Sequence, residues 1–228
     1  MNAERHAFLL VGSPRRGKST SAALGRYLGD RLAEQGWWTG RAFLYGLIGN
    51  AERERDLLGT LREVDLVVLA APLYVDSLPA VVTRFLELWA RDIADCTDPP
   101  RSSLTAILNC GFPEAEHNHV ALAICRRFAH ETGLGWCRGL ALGGGEAFGG
   151  RELDQVGGMA RHARRALELA AAALAAGEHI PDAAVELMAR PIVPRRIYQW
   201  IGNRSWRVKA RRAGTLAELR ARPYEANS

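Results

Sequence analysis

The sequence predicts an α/β protein: a doubly wound, five-stranded parallel sheet with a C-terminal extension. Three observations carry that prediction. Strand-length apolar runs, above all Leu66-Val67-Val68-Leu69-Ala70, are unbroken rather than alternating, as strands buried on both faces are. The segments between them place apolar residues at helical spacing. Strand and helix therefore alternate along the chain, and such alternation packs as helices on both faces of one parallel sheet.

Ala7 to Val11 is the first strand, followed by a helix with Leu24, Tyr27, Leu28 and Leu32 on one face that stops near Gly36. Trp38 to Tyr45 is weakly patterned, as an edge strand is, and Glu52 to Val64 is a short charged helix leading into Leu66 to Ala70. Pro79 suits a helix's first turn, and Val82, Phe85, Leu86, Trp89 and Ile93 give that helix its apolar stripe. A loop with Pro99-Pro100 precedes the fourth strand, Leu104 to Leu108. A helix with Val120, Ile124 and Phe128 on one face and a fifth strand, Trp136 to Leu142, come next. One long Ala-rich helix, about Leu153 to Ala176, turns Val156, Ala160, Ala163, Leu167, Ala170 and Leu174 inward.

At 228 residues and 48% apolar, the chain suits one large domain, residues 1–178, with an extension over 179–228. No apolar stretch approaches the roughly 20 residues that span a bilayer, and the run after Glu4, Arg5 and His6 is too short for a signal peptide. A cytoplasmic protein with no membrane partner is expected. Cys96, Cys110, Cys125 and Cys137 are scattered without a C-x-x-C, which argues for free thiols and against a metal site. The charge is uneven: from Arg190 onward ten Lys/Arg face two Glu, so of the chain's net +5 the earlier part holds −3. In the extension Ile197, Tyr198, Trp200, Ile201 and Trp206 alternate with arginines. We expect these aromatics to pack on the core or wrap onto a second subunit in a homodimer, and expect no nucleic-acid role.

The chemistry concentrates at the carboxyl ends of the strands, where open α/β sheets bind ligands. Four loops fall there: 12–21, 72–78, 109–117 and 143–150. In the first, Gly12-Ser13-Pro14-Arg15-Arg16-Gly17-Lys18-Ser19-Thr20-Ser21 joins a strand to a helix N-terminus. Its tight turns, four hydroxyls and three cations mark a phosphate site; the plainer alternative is an ordinary helix start with Ser19 as N-cap and a solvated basic loop. Gly12 to Ser19 also matches G-x-x-x-x-G-K-[ST], the nucleotide P-loop pattern. A P-loop enzyme usually needs a strand-end carboxylate for Mg²⁺, and the next buried strands end in Ala70-Ala71-Pro72 and Leu108-Asn109-Cys110 instead.

Three motifs together resemble the flavodoxin-like NAD(P)H-dependent oxidoreductases, also called NADPH-dependent FMN reductases. They are Gly12-Ser13-Pro14-Arg15 with Ser19 and Ser21, Pro72-x-Tyr74-x-x-Ser77-x-Pro79, and Asn109-x-Gly111-Phe112-Pro113-Glu114. The resemblance covers about residues 7–176. It implies a flavodoxin-like sheet of order 2-1-3-4-5 and an FMN whose phosphate and ribityl meet Ser13, Arg15, Lys18, Ser19, Thr20 and Ser21. Pro72, Leu73, Tyr74 and Ser77 would frame one side of the flavin ring. Asn109, Cys110, Gly111, Phe112 and Glu114 would offer backbone N–H groups to its pyrimidine edge.

Tyr74 can line such a ring or simply pack on the neighbouring helix. His117 or His119 can supply a proton to a reduced acceptor, or be plain surface histidines; of the two, His117 is the candidate. Cys110 is either a thiol beside the flavin or a small buried residue. Glycines 143–145 and 149–150 let a backbone approach a ligand, or serve as linker. The expectation is an enzyme in which NAD(P)H, as NADPH or NADH, gives a hydride to FMN N5 and a small quinone, nitro, azo or flavin acceptor takes it in turn. The alternatives are an electron-carrying flavodoxin and a P-loop phosphotransferase.

Overall fold

In the computed structural model, which describes residues 4–192 and 194–222, the apolar runs pair side by side. β1 (His6–Val11), β2 (Trp38–Phe43), β3 (Leu66–Pro72), β4 (Ser103–Asn109) and β5 (Gly135–Leu142) form one parallel sheet in the order β2-β1-β3-β4-β5. Eight α-helices accompany it among the described residues: α1 (Thr20–Ala33), α2 (Ala51–Arg62), α3 (Ala80–Ala94), α4 (His119–Thr132), α5 (Leu153–Val156), α6 (Arg161–Ala175), α7 (Asp182–Ala189) and α8 (Arg195–Arg212).

Because side chains alternate along a strand, β1 serves both layers. Leu9 and Val11 join Leu24 and Leu28 of α1, Leu167 of α6 and Ala184 of α7. Phe8 and Leu10 join Leu61 of α2, Val82 and Phe85 of α3 and Cys125 of α4. The described residues form two compact units, one ending at Ile192 and the other spanning 194–222. Residues 179–192 belong with the sheet: Ile180 N–H donates to Cys137 O of β5 at 3.2 Å, and Ile180, Ala184 and Met188 are buried in the core.

Three local expectations are corrected. The helix over 153–176 is broken into α5, a 3-10 turn at Gly157–Ala160, and α6. Gly157 takes φ +69, a left-handed value that interrupts a helix, yet every residue expected to face inward is buried. β2 stops at Phe43, because the chain turns away at Leu44. On α4 the buried face is Ala121, Cys125 and Ala129, while Val120 and Ile124 are exposed. Small residues let α4 lie close on β4 and β5, and the bulky pair stands a third of a turn away.

Pro72 stands beside Asn109 and Asn109 beside Leu142, so β3, β4 and β5 finish level at their carboxyl ends, and β1 ends close by with Val11 beside Ala70. Phe85 helps hold the layer beneath. It is fully buried and its ring centroid lies 5.6 Å from that of Trp89, which lies 5.4 Å from Phe128. Phe85→Ala should therefore cost about 3–5 kcal/mol in urea unfolding, with the cavity as cause; a loss below 1 kcal/mol would mean that α3 repacks.

Candidate functional site

The first loop leaves β1 under tight constraint. Gly12 N–H donates to Ala70 O at 2.9 Å, and a Cβ on Gly12 would stand 2.3 Å from Val82 Cγ2, so only glycine lets the chain pass this close to α3. Arg16–Lys18 then forms an exposed 3-10 turn with Arg16 at φ +47. Ser19 caps α1: its hydroxyl accepts from Ala22 N–H at 3.1 Å and donates to Arg16 O at 2.7 Å. Ala23 N–H is taken by Ser19 O. That leaves the N–H groups of Ser19, Thr20 and Ser21 at the positive end of the helix without intrahelical acceptors. Arg15, Arg16 and Lys18 are exposed and form no ion pair among the described residues. Ser13 is buried, and its hydroxyl makes no hydrogen bond among the described residues.

The other hydroxyls point inward. Thr20 Oγ1 donates to Gly145 O at 2.8 Å, and Ser21 Oγ donates to Asn109 Oδ1 at 2.7 Å, both buried. Thr20 and Ser21 thus tie the first loop to the 143–150 and 109–117 loops.

The 72–78 loop is a small hairpin. Leu73 N–H donates to Asn109 O at 2.8 Å, and Tyr74 and Ser77 exchange backbone bonds of 2.9 and 3.1 Å around Val75 and Asp76. Both turn residues have positive φ, +49 and +57, as a two-residue type I′ turn requires. Tyr74 is exposed; burial and the neighbouring Tyr74 push the Tyr45 phenol up.

The 109–117 loop folds around a thiol. Cys110 N–H donates to Leu142 O at 3.0 Å, and Sγ lies 3.4 Å from both Phe112 O and Glu114 O. Asn118 Nδ2 donates to Cys110 Sγ at 3.4 Å and to Ala115 O at 3.0 Å. Burial pushes the Cys110 thiol up against the opposing pull of these hydrogen bonds, so it is a protonated donor that shapes the turn. Asn118, fully buried, is a positioning residue that sequence reasoning missed; an Asn near a loop-to-helix junction gave no signal of burial. At the rim Phe112 and His117 rings pack 4.5 Å apart, and His117 Nδ1 lies 3.9 Å from Asp76 Oδ1, which brings the hairpin beside this loop. His117 sits in a 3-10 turn, Ala115–Asn118, while His119 is the exposed first residue of α4. Gly111 and Glu114 precede this turn, with Gly111 next to Glu146.

The structure thus gathers the four loops at one end of the sheet. Cavities of about 290 Å³, between α1 and β2, and about 650 Å³, at the amino ends of β3 and β4, lie elsewhere.

The chain matches no protein-family model and no curated protein sequence. Solved structures do match. An FMN-dependent NADH-azoreductase from Bacillus anthracis, in complex with FMN, aligns with TM-score 0.57 at 12% identity over 75% of this chain and 99% of its own. The NAD(P)H:quinone oxidoreductase from Methanothermobacter marburgensis aligns with TM-score 0.55 at 16% identity over 73% and 96%. RosB with a bound 8-demethyl-8-formylriboflavin-5'-phosphate aligns with TM-score 0.56 at 13% identity over 88% and 87%. The fold is flavodoxin-like. The strand order expected from the three motifs is the one observed.

The flavodoxin-like loops interlock through Gly150. At φ +71, it would place a Cβ 2.2 Å from Lys18 O, whereas a Cβ on Gly149, at φ +62, would meet only Arg151 Nε at 4.0 Å. Gly149→Ala should cost about 1–2 kcal/mol, the left-handed penalty alone, and Gly150→Ala measurably more, because the Lys18–Ser19 peptide must move. Equal losses in chemical unfolding would show that this contact is soft.

Proposed function

We propose that this chain is an FMN-dependent NAD(P)H oxidoreductase that passes a hydride to a small acceptor such as a quinone, nitro, azo or flavin compound. The observation that carries the reading is the first loop: a capped helix N-terminus with three N–H groups that lack intrahelical acceptors, a Ser13 whose hydroxyl makes no hydrogen bond among the described residues, and Arg15, Arg16 and Lys18, which form no ion pair among them. A phosphomonoester fits that donor set. FMN, when bound, supplies the hydride-accepting and hydride-donating centre at N5 that no side chain here provides.

The residues would then divide the work. The N–H groups of Ser19, Thr20 and Ser21 and the Ser13 hydroxyl hold the phosphate, with Arg15 and Lys18 neutralising it. The hydroxyls of Ser19, Thr20 and Ser21 keep the loop in shape, since their protons are already donated to Arg16, Gly145 and Asn109. Pro72, Leu73, Tyr74 and Ser77 wall one side of the ring. Asn109, Gly111, Phe112 and Glu114 wall the other, and Cys110 braces that turn through its thiol. His117, beside Asp76 and under Phe112, holds the proton that a reduced acceptor takes up. With one mouth for nicotinamide and acceptor, the two must enter in turn.

The P-loop alternative loses ground at Ser19, the residue that would meet Mg²⁺, because it is engaged as the cap of α1.

Two outcomes test the reading. Ser13→Ala should raise the FMN dissociation constant about tenfold in a fluorescence titration, since a hydrogen bond to a charged group contributes about 1.5–3 kcal/mol; an unchanged constant would move the phosphate out of this loop. In stopped-flow absorbance NADPH or NADH should bleach the bound flavin without an acceptor. His117→Ala should then slow oxidation by quinone, by about 100-fold for a lost general acid, and leave the bleaching rate unchanged. A flavin that neither nicotinamide reduces would remove the reductase reading and leave the electron carrier.

A further inference from the structure

The second unit, taken by itself, holds the 18-residue helix α8. Seven of those residues are Lys or Arg and none is acidic. Among its side chains that are described, Ala210 alone is buried. Trp200 and Trp206 are 64% and 67% exposed, and Ile197 and Val208 are exposed as well. A helix of this length draws most of its stability from laying an apolar stripe against something.

The stripe is legible from helical geometry. At 3.6 residues per turn, Ile197, Trp200, Arg204, Val208 and Arg211 fall along one side. A groove of about 340 Å³ opens there, lined by Trp200, Asn203, Arg204, Arg207, Val208 and Arg211. The Arg204 guanidinium stands 6.0 Å from the Trp200 ring centroid. Three arginines therefore line the groove beside one indole and one aliphatic side chain, Val208, with Ile197 further along the same side. Trp206 lies nearly half a turn from this stripe, next to Lys209, and takes no part in it.

We propose that α8 is a membrane-surface helix that lies on an anionic phospholipid bilayer, with Trp200, Ile197 and Val208 at the headgroup boundary and Arg204, Arg207 and Arg211 on lipid phosphates. Guanidinium forks match phosphate oxygens, and indole rings prefer the depth where the apolar region meets water. The lack of acidic residues removes the repulsion that an anionic surface would otherwise exert. No helix among the described residues is long and apolar enough to cross a bilayer, so the contact is lateral. The expectation of no membrane partner rested on apolar length, which bears on crossing and not on lying flat.

Charge decides against the nearest rival, a second copy of α8, which would bring seven cations against seven. A nucleic acid would satisfy the arginines, but its apolar contacts are confined to base faces and edges, whereas a bilayer offers Ile197 and Val208 a continuous apolar boundary.

The test is sedimentation of the full-length protein with vesicles of phosphatidylcholine, alone or mixed with phosphatidylserine. Binding should be at least about tenfold tighter to the mixed vesicles in 0.1 M salt and should weaken about tenfold by 0.5 M, as screened surface charge does. Arg204→Gln/Arg207→Gln/Arg211→Gln and, separately, Trp200→Ala should each weaken it at least about tenfold, while the Arg→Lys triple at the same positions keeps most of it. Circular dichroism checks that α8 stays helical, and the salt dependence of the unaltered chain stands whether or not the variants fold. Failure to sediment with mixed vesicles, equal binding to neutral ones, or indifference to the arginine and Trp200 changes would overturn the proposal. So would tighter binding to a DNA oligonucleotide than to the mixed vesicles, or a dimer dissolved by the same variants with no effect on vesicle binding.

Discussion

Beyond the last paired residues of β1, β2, β3 and β4, the sheet's ladder of hydrogen bonds runs one step further. Gly12 N–H donates to Ala70 O, Leu44 to Val11 O, Leu73 to Asn109 O and Cys110 to Leu142 O, all within 2.8–3.0 Å. A loop on a parallel sheet is normally free as soon as it leaves the strand. Here each loop's root is fixed by a neighbour's carbonyl, so the positions of Ser13, Tyr74 and Phe112 follow from the register of buried strands. The apolar core specifies the site's frame, and burial of both sheet faces is what makes that register stiff.

Above the roots, polar side chains of low exposure take over. Ser21 to Asn109 and Thr20 to Gly145 link the helix start to two loops, and Asn118 with the Cys110 thiol closes the first of these, 109–117. Each of these groups would carry a desolvation cost of about 1–3 kcal/mol if left unpaired, so each bond resists displacement of its loop. The charged groups of the first loop sit outside this network, on an exposed turn. Structure and charge are thus separated: hydroxyls inside hold the shape, and cations outside remain available to an anion.

Much of the frame was legible because burial leaves a plain mark on sequence. Unbroken runs such as Leu66 to Ala70 identified the inner strands, and Val82, Phe85 and Trp89 identified the face of α3. Where small residues do the packing the mark fails. Ala121, Cys125 and Ala129 form the inner face of α4, whereas the more apolar Val120 and Ile124 suggested the wrong side. The break at Gly157 was hidden inside an Ala-rich pattern that continues correctly on both sides. In the site, the residue types of the first loop pointed to an anion, but not to the direction of each hydroxyl. That direction depends on partners such as Asn109 and Gly145, about 90 and 125 positions away in the chain, and no local pattern encodes it.

The hairpin at Tyr74–Ser77 shows what such local reading cannot supply. A type I′ turn favours Asn-Gly, yet the turn holds Val75 and Asp76, and a β-branched residue at φ +49 is strained by about 1–2 kcal/mol. Val75 is also 99% exposed, so packing of its side chain does not repay the strain. The conformation persists because the surroundings dictate it: Leu73 is bound to Asn109 O below, Pro79 starts α3 behind, and two residues must close the gap between Tyr74 and Ser77. The same closure sets Asp76 beside His117 and leaves Tyr74 facing outward at the rim. Strain kept at an exposed tip, over a buried and well-bonded root, places the least relaxed backbone of this loop at the rim of the sheet's carboxyl end.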